Sequence, residues 1–369
     1  MLCPLFLHIV VAFVIMAILF RNAVIMEGCG MVTLKDIAKE AGVSITTVSN
    51  VVHNRASRVS PELVARIRAI MEREHYVPSM TARTLANNQS LIIGVINHLV
   101  PRHSGGVMAD PFHNTFMAGI EQQTREEGYF LMLRSVEDSL ELERLRRSWS
   151  MDGMIFTGLF QDDFFQSVCN MDIPFVLIDS YIDLPEVYNV GLEDEQGGYL
   201  ATRHLLENGH RVIAFASPFL RENGVVEKRL QGYQRALGEF GVPFDPQLVF
   251  EQEISIDDGV RLGRVLAGQK HITGIFASAD ILAAGIVAGL CEERVSVPRD
   301  KSIVGFDDNY LCRLTHPQLT TIHQDAERKG ILATEMLLSQ LRHQPVDERQ
   351  IILPVRLVER ESVRDIKGD

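Results

Sequence analysis

Three aspartates follow short apolar runs. Asp179 closes Phe-Val-Leu-Ile-Asp, Asp307 closes Ile-Val-Gly-Phe-Asp, and Asp280 follows Phe-Ala-Ser-Ala. A fourth, Asp110, opens Asp-Pro-Phe-His after the run Leu91–Asn97 and brings the aromatic Phe112 to a similar place. Arg229 lies in Arg-Leu-Gln-Gly-Tyr, inside a helical pattern. Carboxylates and a guanidinium each take paired hydrogen bonds, and an aromatic face can stack on a sugar ring, so this set suits polyol recognition. The plain alternative for any strand-end aspartate is a helix N-cap. A second constellation lies nearer the N-terminus. Ser44 precedes Ile45-Thr-Thr-Val-Ser-Asn-Val-Val52, which carries short hydroxyl and amide groups of the kind that contact base edges.

The first set must be held by a sheet. Strand patterns fall at Leu91–Asn97, Tyr129–Arg134, Gly153–Thr157, Pro174–Asp179, Val212–Ser217, Gly274–Ala277 and Ser302–Phe306. Helical patterns alternate with them at Phe112–Glu127, Leu140–Ser148, Asp194–Asn208, Glu227–Phe240, Asp257–Leu266 and Ile281–Glu292. Such alternation predicts parallel α/β sheets that bind ligands at the carboxyl ends of their strands. Seven units are too many for one compact sheet, and Val190-Gly-Leu192 is a plausible passage to a second lobe.

The second set needs a small helical unit. Thr33 is a good N-cap with Asp36 three residues on, and Leu34, Ile37, Ala38 and Ala41 share one helical face. Gly42 ends that helix and Ser44 caps the next. In the second helix Val48 and Val51/Val52 point inward, leaving Ile45, Thr46, Ser49 and Asn50 outward. Ser60-Pro61-Glu62 opens a third helix running to about His75. The spacing predicts a helix-turn-helix whose second helix enters the major groove. The segment Ser79–Ala86 follows Pro78 and is too short to be helical unaided.

The strings V-T-L-K-D-I-A-K-E-A-G-V-S, T-V-S-N-V-V, S-P-E-L and P-S-x-x-A-R-x-L, in this order, resemble the lactose/galactose-repressor (LacI/GalR) family of bacterial transcriptional regulators. The resemblance extends to about Ser362. It implies an all-α helix-turn-helix head (31–77), a hinge helix and linker (78–90), and a two-lobed periplasmic-binding-protein-like type I body with parallel sheets (91–369). The first lobe would hold about 91–192 and 323–344, the second about 193–321 and 346–362, with chain crossings near 192, 322 and 345. Base reading would fall to Ile45, Thr46 and Asn50, with Thr33, Ser44, Thr47, Ser49, Asn54, Arg58, Ala82 and Arg83 also at the DNA. Leu85 would wedge into the minor groove at the operator centre. Phe112, Asp179, Arg229, Asp280 and Asp307 would meet a sugar in the cleft between the lobes. Ala279 stands where the family often has Asn, Ile254 where its namesake has an aromatic, and the loop Val100–Asp110 is longer than usual.

Charge supports this division. Residues 31–90 hold eight Lys/Arg against five Asp/Glu, a balance of +3, while 91–369 carry −15 of the total −12. A basic head on an acidic body suits a DNA reader joined to something that does not touch DNA. Five scattered cysteines without a C-x-x-C pair read as a reduced cytoplasmic protein without a disulfide framework or metal site. Residues 1–30 are the exception, being apolar from Leu5 to Phe20. Either they anchor the chain in a membrane, or translation starts at Met26 or Met31; a helix-turn-helix beginning just after Met31 favours the second. No phosphate loop, H-E-x-x-H or G-x-S-x-G is present, so no enzyme activity, cofactor or metal is expected. The expected partners are near-palindromic double-stranded operator DNA, a small sugar-like effector and a second copy of the chain. No apolar heptads follow Ile351–Val358, so a dimer is expected rather than a coiled-coil tetramer. The competing reading, a membrane-anchored solute-binding protein for transport, leaves the helix-turn-helix unexplained.

Overall fold

The computed structural model describes residues 32–52, 59–76, 89–98 and 107–368. The chain divides into two compact units at Gln89–Ser90. The hinge segment 79–86 and the expected DNA contacts Asn54, Arg58, Ala82, Arg83 and Leu85 lie outside the described residues, as do residues 1–30.

The first unit is three helices: α1 (Leu34–Ala41), α2 (Ile45–Val52) and α3 (Pro61–Arg73). Thr33 and Asp36 form a capping box, the Thr33 hydroxyl donating to Asp36 Oδ2 at 2.6 Å and the Thr33 N–H to the same oxygen at 3.0 Å. Gly42 ends α1 at φ +69°, a left-handed conformation that costs glycine little. Ser44 Oγ then accepts the Thr47 N–H at 3.1 Å and starts α2. Ile37, Ala38, Ala41, Val48, Val51, Ile67 and Ile70 form the buried core.

The second unit holds two six-stranded sheets. The chain first runs β1 (Ile92–Asn97), α4 (Pro111–Glu126), β2 (Phe130–Ser135), α5 (Ser139–Ser148), β3 (Gly153–Thr157), α6 (Asp163–Cys169), β4 (Phe175–Ile178) and β5 (Asn189–Leu192). It then forms α7 (Asp194–Glu207), β6 (Ile213–Ser217), α8 (Val225–Glu239), β7 (Val249–Glu251), α9 (Ile256–Gly268), β8 (Gly274–Ala277), α10 (Asp280–Glu292), β9 (Ser302–Asp307), α11 (Leu311–Leu314) and β10 (Thr320–His323). The last elements are α12 (Ala326–Leu341), β11 (Gln350–Leu353) and β12 (Arg356–Val358).

The first sheet has the order β11-β5-β4-β3-β1-β2 and is parallel throughout; the second has β12-β10-β9-β8-β6-β7, parallel except for β12. Helix α12 packs its Ala333, Met336, Leu337 and Leu338 on the first sheet. The chain therefore passes between lobes after Leu192, after His323 and between Leu353 and Arg356. The third passage corrects the expectation of 345: β11 pairs with β5, so 350–353 belong to the first lobe.

Glycines let the site-bearing helices touch. A Cβ on Gly232 of α8 would meet the Glu195 carbonyl oxygen of α7 at 1.9 Å, and one on Gly330 of α12 would meet the Phe116 carbonyl oxygen of α4 at 2.1 Å. These approaches bring Arg229 beside Asp194 and Lys329 beside Phe112.

Candidate functional site

In both sheets the strand order reverses beside the first strand of the lobe, where ligands bind in open α/β sheets. A cavity of about 660 Å³ lies at the carboxyl ends of both. Asn97, Thr157 and Asp179 line it after β1, β3 and β4; Pro218, Ser278 and Asp307 line it from β6, β8 and β9. Its volume falls within the range of small-molecule sites.

Four of the five expected ligand contacts line this cavity: Phe112, Asp179, Arg229 and Asp307. Arg229 is buried. Its Nε donates to Asp194 Oδ1 at 2.8 Å and its Nη1 to the Ser278 carbonyl at 2.6 Å, with the guanidinium 3.5 Å over the Phe306 ring. Asp307 accepts from Gln324 Nε2 at 2.6 Å. Burial, and then the Asp280 carboxylate, raise the Asp307 carboxyl well above the ordinary carboxylate range, with Arg229 opposing. Asp179, at φ +54°, accepts from Lys329 Nζ at 2.7 and 2.8 Å, so its charge is already matched.

Asp280 does not line the cavity, a correction to its expected role. As the first residue of α10 it is fully buried. Its oxygens accept from Thr321 Oγ1 at 2.6 Å and from the Asn309 N–H at 3.0 Å, so it ties the start of the helix to β10 and the loop after β9. Burial pushes its carboxyl up to about 7 against the hydrogen bonds from Cys312, Thr321 and Asn309. The folded protein thus keeps this proton at pH values where the unfolded chain, near 3.8, has lost it. Stability from this group is full below about pH 4 and is lost as pH rises toward 7. Asp280→Asn is expected to flatten that part of the stability profile, read by urea unfolding across the interval; an unchanged slope would assign the dependence to other groups.

Lys329, Gln324, Asp194 and Tyr181 were not anticipated from the sequence. Lys329 Nζ also donates to Gln324 Oε1 at 2.9 Å, and Tyr181 Oη to Asp194 Oδ2 at 2.8 Å. Tyr181 and Lys329 belong to the first lobe, Asp194 and Asp307 to the second, and Gln324 to the passage between them. Asn97 and Ser278 are among the residues around the cavity, but Asn97 Nδ2 and Ser278 Oγ are themselves buried in the wall, without a hydrogen-bond partner among the described residues.

In the first unit, Ile45 is 48% exposed and Thr46 is exposed at the start of α2, while Thr47, Ser49 and Asn50 are half-buried. Thr33 and Ser44 are exposed, both engaged in capping. Among the described residues no helix is long and apolar enough to cross a membrane.

Residues 33–79 match the model for bacterial regulatory proteins of the lacI family, and residues 202–363 match the periplasmic binding protein-like domain. The HTH-type transcriptional repressor PurR of Aliivibrio salmonicida (strain LFI1238) is 31% identical over 343 residues, covering 91% of this chain and all of the relative. The crystal structure of the lac repressor dimer bound to operator and the anti-inducer ONPF aligns with a TM-score of 0.77 at 28% identity, over 91% of this chain and 100% of that one. A LacI family regulator from Enterococcus faecium with bound ribose aligns with a TM-score of 0.64 at 31% identity, over 75% of this chain and 100% of that one. A helix-turn-helix head on a two-lobed binding body defines a ligand-controlled transcriptional regulator. The chain belongs to the lacI family of bacterial regulatory proteins.

Proposed function

We propose that this regulator is a cytoplasmic homodimer that reads near-palindromic double-stranded operator DNA with α2. A small sugar-like effector, held at the cavity between the lobes, sets its DNA affinity. The observation that carries this reading is the pairing of a capped helix-turn-helix with a body whose cavity gathers Phe112, Arg229 and Asp307 from both lobes. The lac repressor structure, solved with operator and anti-inducer, and the ribose-bound regulator support it by likeness. An effector shifts DNA affinity only through its different affinities for the two lobe states.

The test begins with selection of an operator from a random duplex library, followed by titration with and without sugars that raise Tm. Asn50→Ala is expected to change preference at one base pair by about 1–3 kcal/mol and to leave the rest of the site intact. Asp307→Asn is expected to keep operator affinity and lose the effector response. Uniform weakening by Asn50→Ala across the library would remove α2 as the reading element. A normal effector response in Asp307→Asn would remove the cavity as the effector site.

A further inference from the structure

We propose that Asp308 is a positioning residue that joins the second and third passages between the lobes to the turn at Asp307, so that both passages and this part of the cavity wall move as one joint. The consequence for DNA rests on the reading above, in which the lobe state sets operator affinity.

The first argument is backbone conformation. Asp307 and Asp308 are consecutive non-glycine residues at φ +122° and +59°. L-residues rarely adopt these values, which persist where the surroundings over-determine them. Gln324 Nε2 holds the Asp307 carboxyl, and Asp280 holds the Asn309 N–H that follows the turn. Asp308 is held by two further groups. Arg360 Nη2 donates to its Oδ1, and His323 Nδ1 lies 3.0 Å from its Oδ2. The Asp308 and Arg360 side chains are each only 14% exposed, so solvent screens the pair weakly. Asp308, His323 and Arg360 are not among the residues around the cavity, so this cluster acts on the cavity through Asp307.

The second argument is where these partners lie. His323 is the last residue of β10, and the chain leaves the second lobe there through Gln324. It returns at Arg356, which pairs with His323 across the antiparallel β10–β12 ladder. Arg360 lies two residues beyond β12. Its N–H donates to Thr320 Oγ1 at 2.9 Å and its Nη1 to the Leu319 carbonyl at 2.8 Å, which fixes it at the start of β10. Asp308 therefore grips the strand that leaves the lobe and the segment that returns to it. The first passage has a separate anchor, Asp194 with Tyr181 and Arg229. Domain rotation is absorbed by φ/ψ changes in a few residues at such crossings. A displacement of the Asp307–Asp308 turn thus reaches two of the three crossings together.

The experiment measures hydrogen exchange along the full chain without ligand, beside titration of the operator selected as above. The variants are Asp308→Asn and Arg360→Met, singly and together, with Lys301→Met as the control. Lys301 sits at the far end of β9 and donates to the Gln269 and Ile272 carbonyls, so its loss weakens the same lobe away from the crossings. Asp308→Asn is expected to speed exchange roughly tenfold or more at 321–326 and 353–358 together. The double variant is expected to match the singles, because one interaction has been removed. Operator affinity is expected to fall about threefold or more, since a freer joint spends less time in the DNA-competent state. Lys301→Met is expected to lower Tm while leaving both segments and operator affinity near wild type. Asp308→Asn preserves the size of the side chain and decides the matter if Arg360→Met does not fold. Faster exchange at 359–364 alone would make Arg360 a fastener of the C-terminal tail and overturn the proposal. Equal loosening of the crossings in Lys301→Met would overturn it too. Loosened crossings with unchanged operator affinity would instead overturn the reading that the lobe state governs DNA binding, and leave the joint itself standing.

Discussion

Arg229→Ala is expected to destabilise the body by about 3–5 kcal/mol and to abolish the effector response, where Asp307→Asn removes the response alone. Arg229 does two things at once. It faces the cavity, and it is the cation beside Asp194, which is 1% exposed and starts α7 directly after the first passage between lobes. The second oxygen of Asp194 takes the Tyr181 hydroxyl from the first lobe. Burial already raises the Asp194 carboxyl above the ordinary range, and Arg229 is the largest influence opposing that rise. Truncation leaves this carboxyl buried without its cation, and the Ser278 carbonyl without its donor. The measurement is chemical unfolding beside operator titration. Arg229→Ala with wild-type stability would reduce the residue to a ligand contact. Arg229→Lys is a poor rescue, because an ammonium cannot reach Asp194, the Ser278 carbonyl and the Phe306 face together.

The parts of the structure that were legible in the sequence are those whose determinants are local. The capping box of Thr33 and Asp36, Gly42 at a left-handed position and the apolar runs of β1 to β4, β6, β8 and β9 all lie within a few residues of the features they specify. The short strands β5, β7, β10, β11 and β12 were not legible. Each is three or four residues long, they carry polar residues such as Thr321, Gln350 and Arg356, and their pairing partners lie elsewhere in the chain, as with Gln350 opposite Asn189. Missing β11 displaced the third passage between lobes. Asp280 shows a different limit. An aspartate after a strand and at a helix start has one sequence signature whether it faces the cavity or turns back toward Thr321, and only the packing of β10 decides. For Asp179, its position in the cavity wall was legible but its partner was not, because Lys329 lies 150 residues away.

Lys329→Met is the test of that hidden partner, and it is expected to cost about 3–5 kcal/mol. The lysine is fully buried on α12, and its ammonium meets both oxygens of Asp179 and the Gln324 carbonyl oxygen. Methionine fills much the same volume, so the loss is mainly electrostatic: a carboxylate held at φ +54° in the cavity wall with no cation beside it. Adding Asp179→Asn removes that unmatched charge. The double variant is therefore expected to recover most of the lost stability, since a buried ion pair replaced as a unit is often close to neutral. Function should not recover with it. Lys329 also fixes Gln324, which donates to Asp307 in the other lobe, and its ammonium lies 5.3 Å from the Phe112 ring centroid. Effector affinity is expected to stay low in the double variant while unfolding returns toward wild type. If the single and double variants unfold alike, the ion pair is not what Lys329 contributes. If effector affinity returns together with stability, the link through Gln324 to Asp307 carries nothing between the lobes.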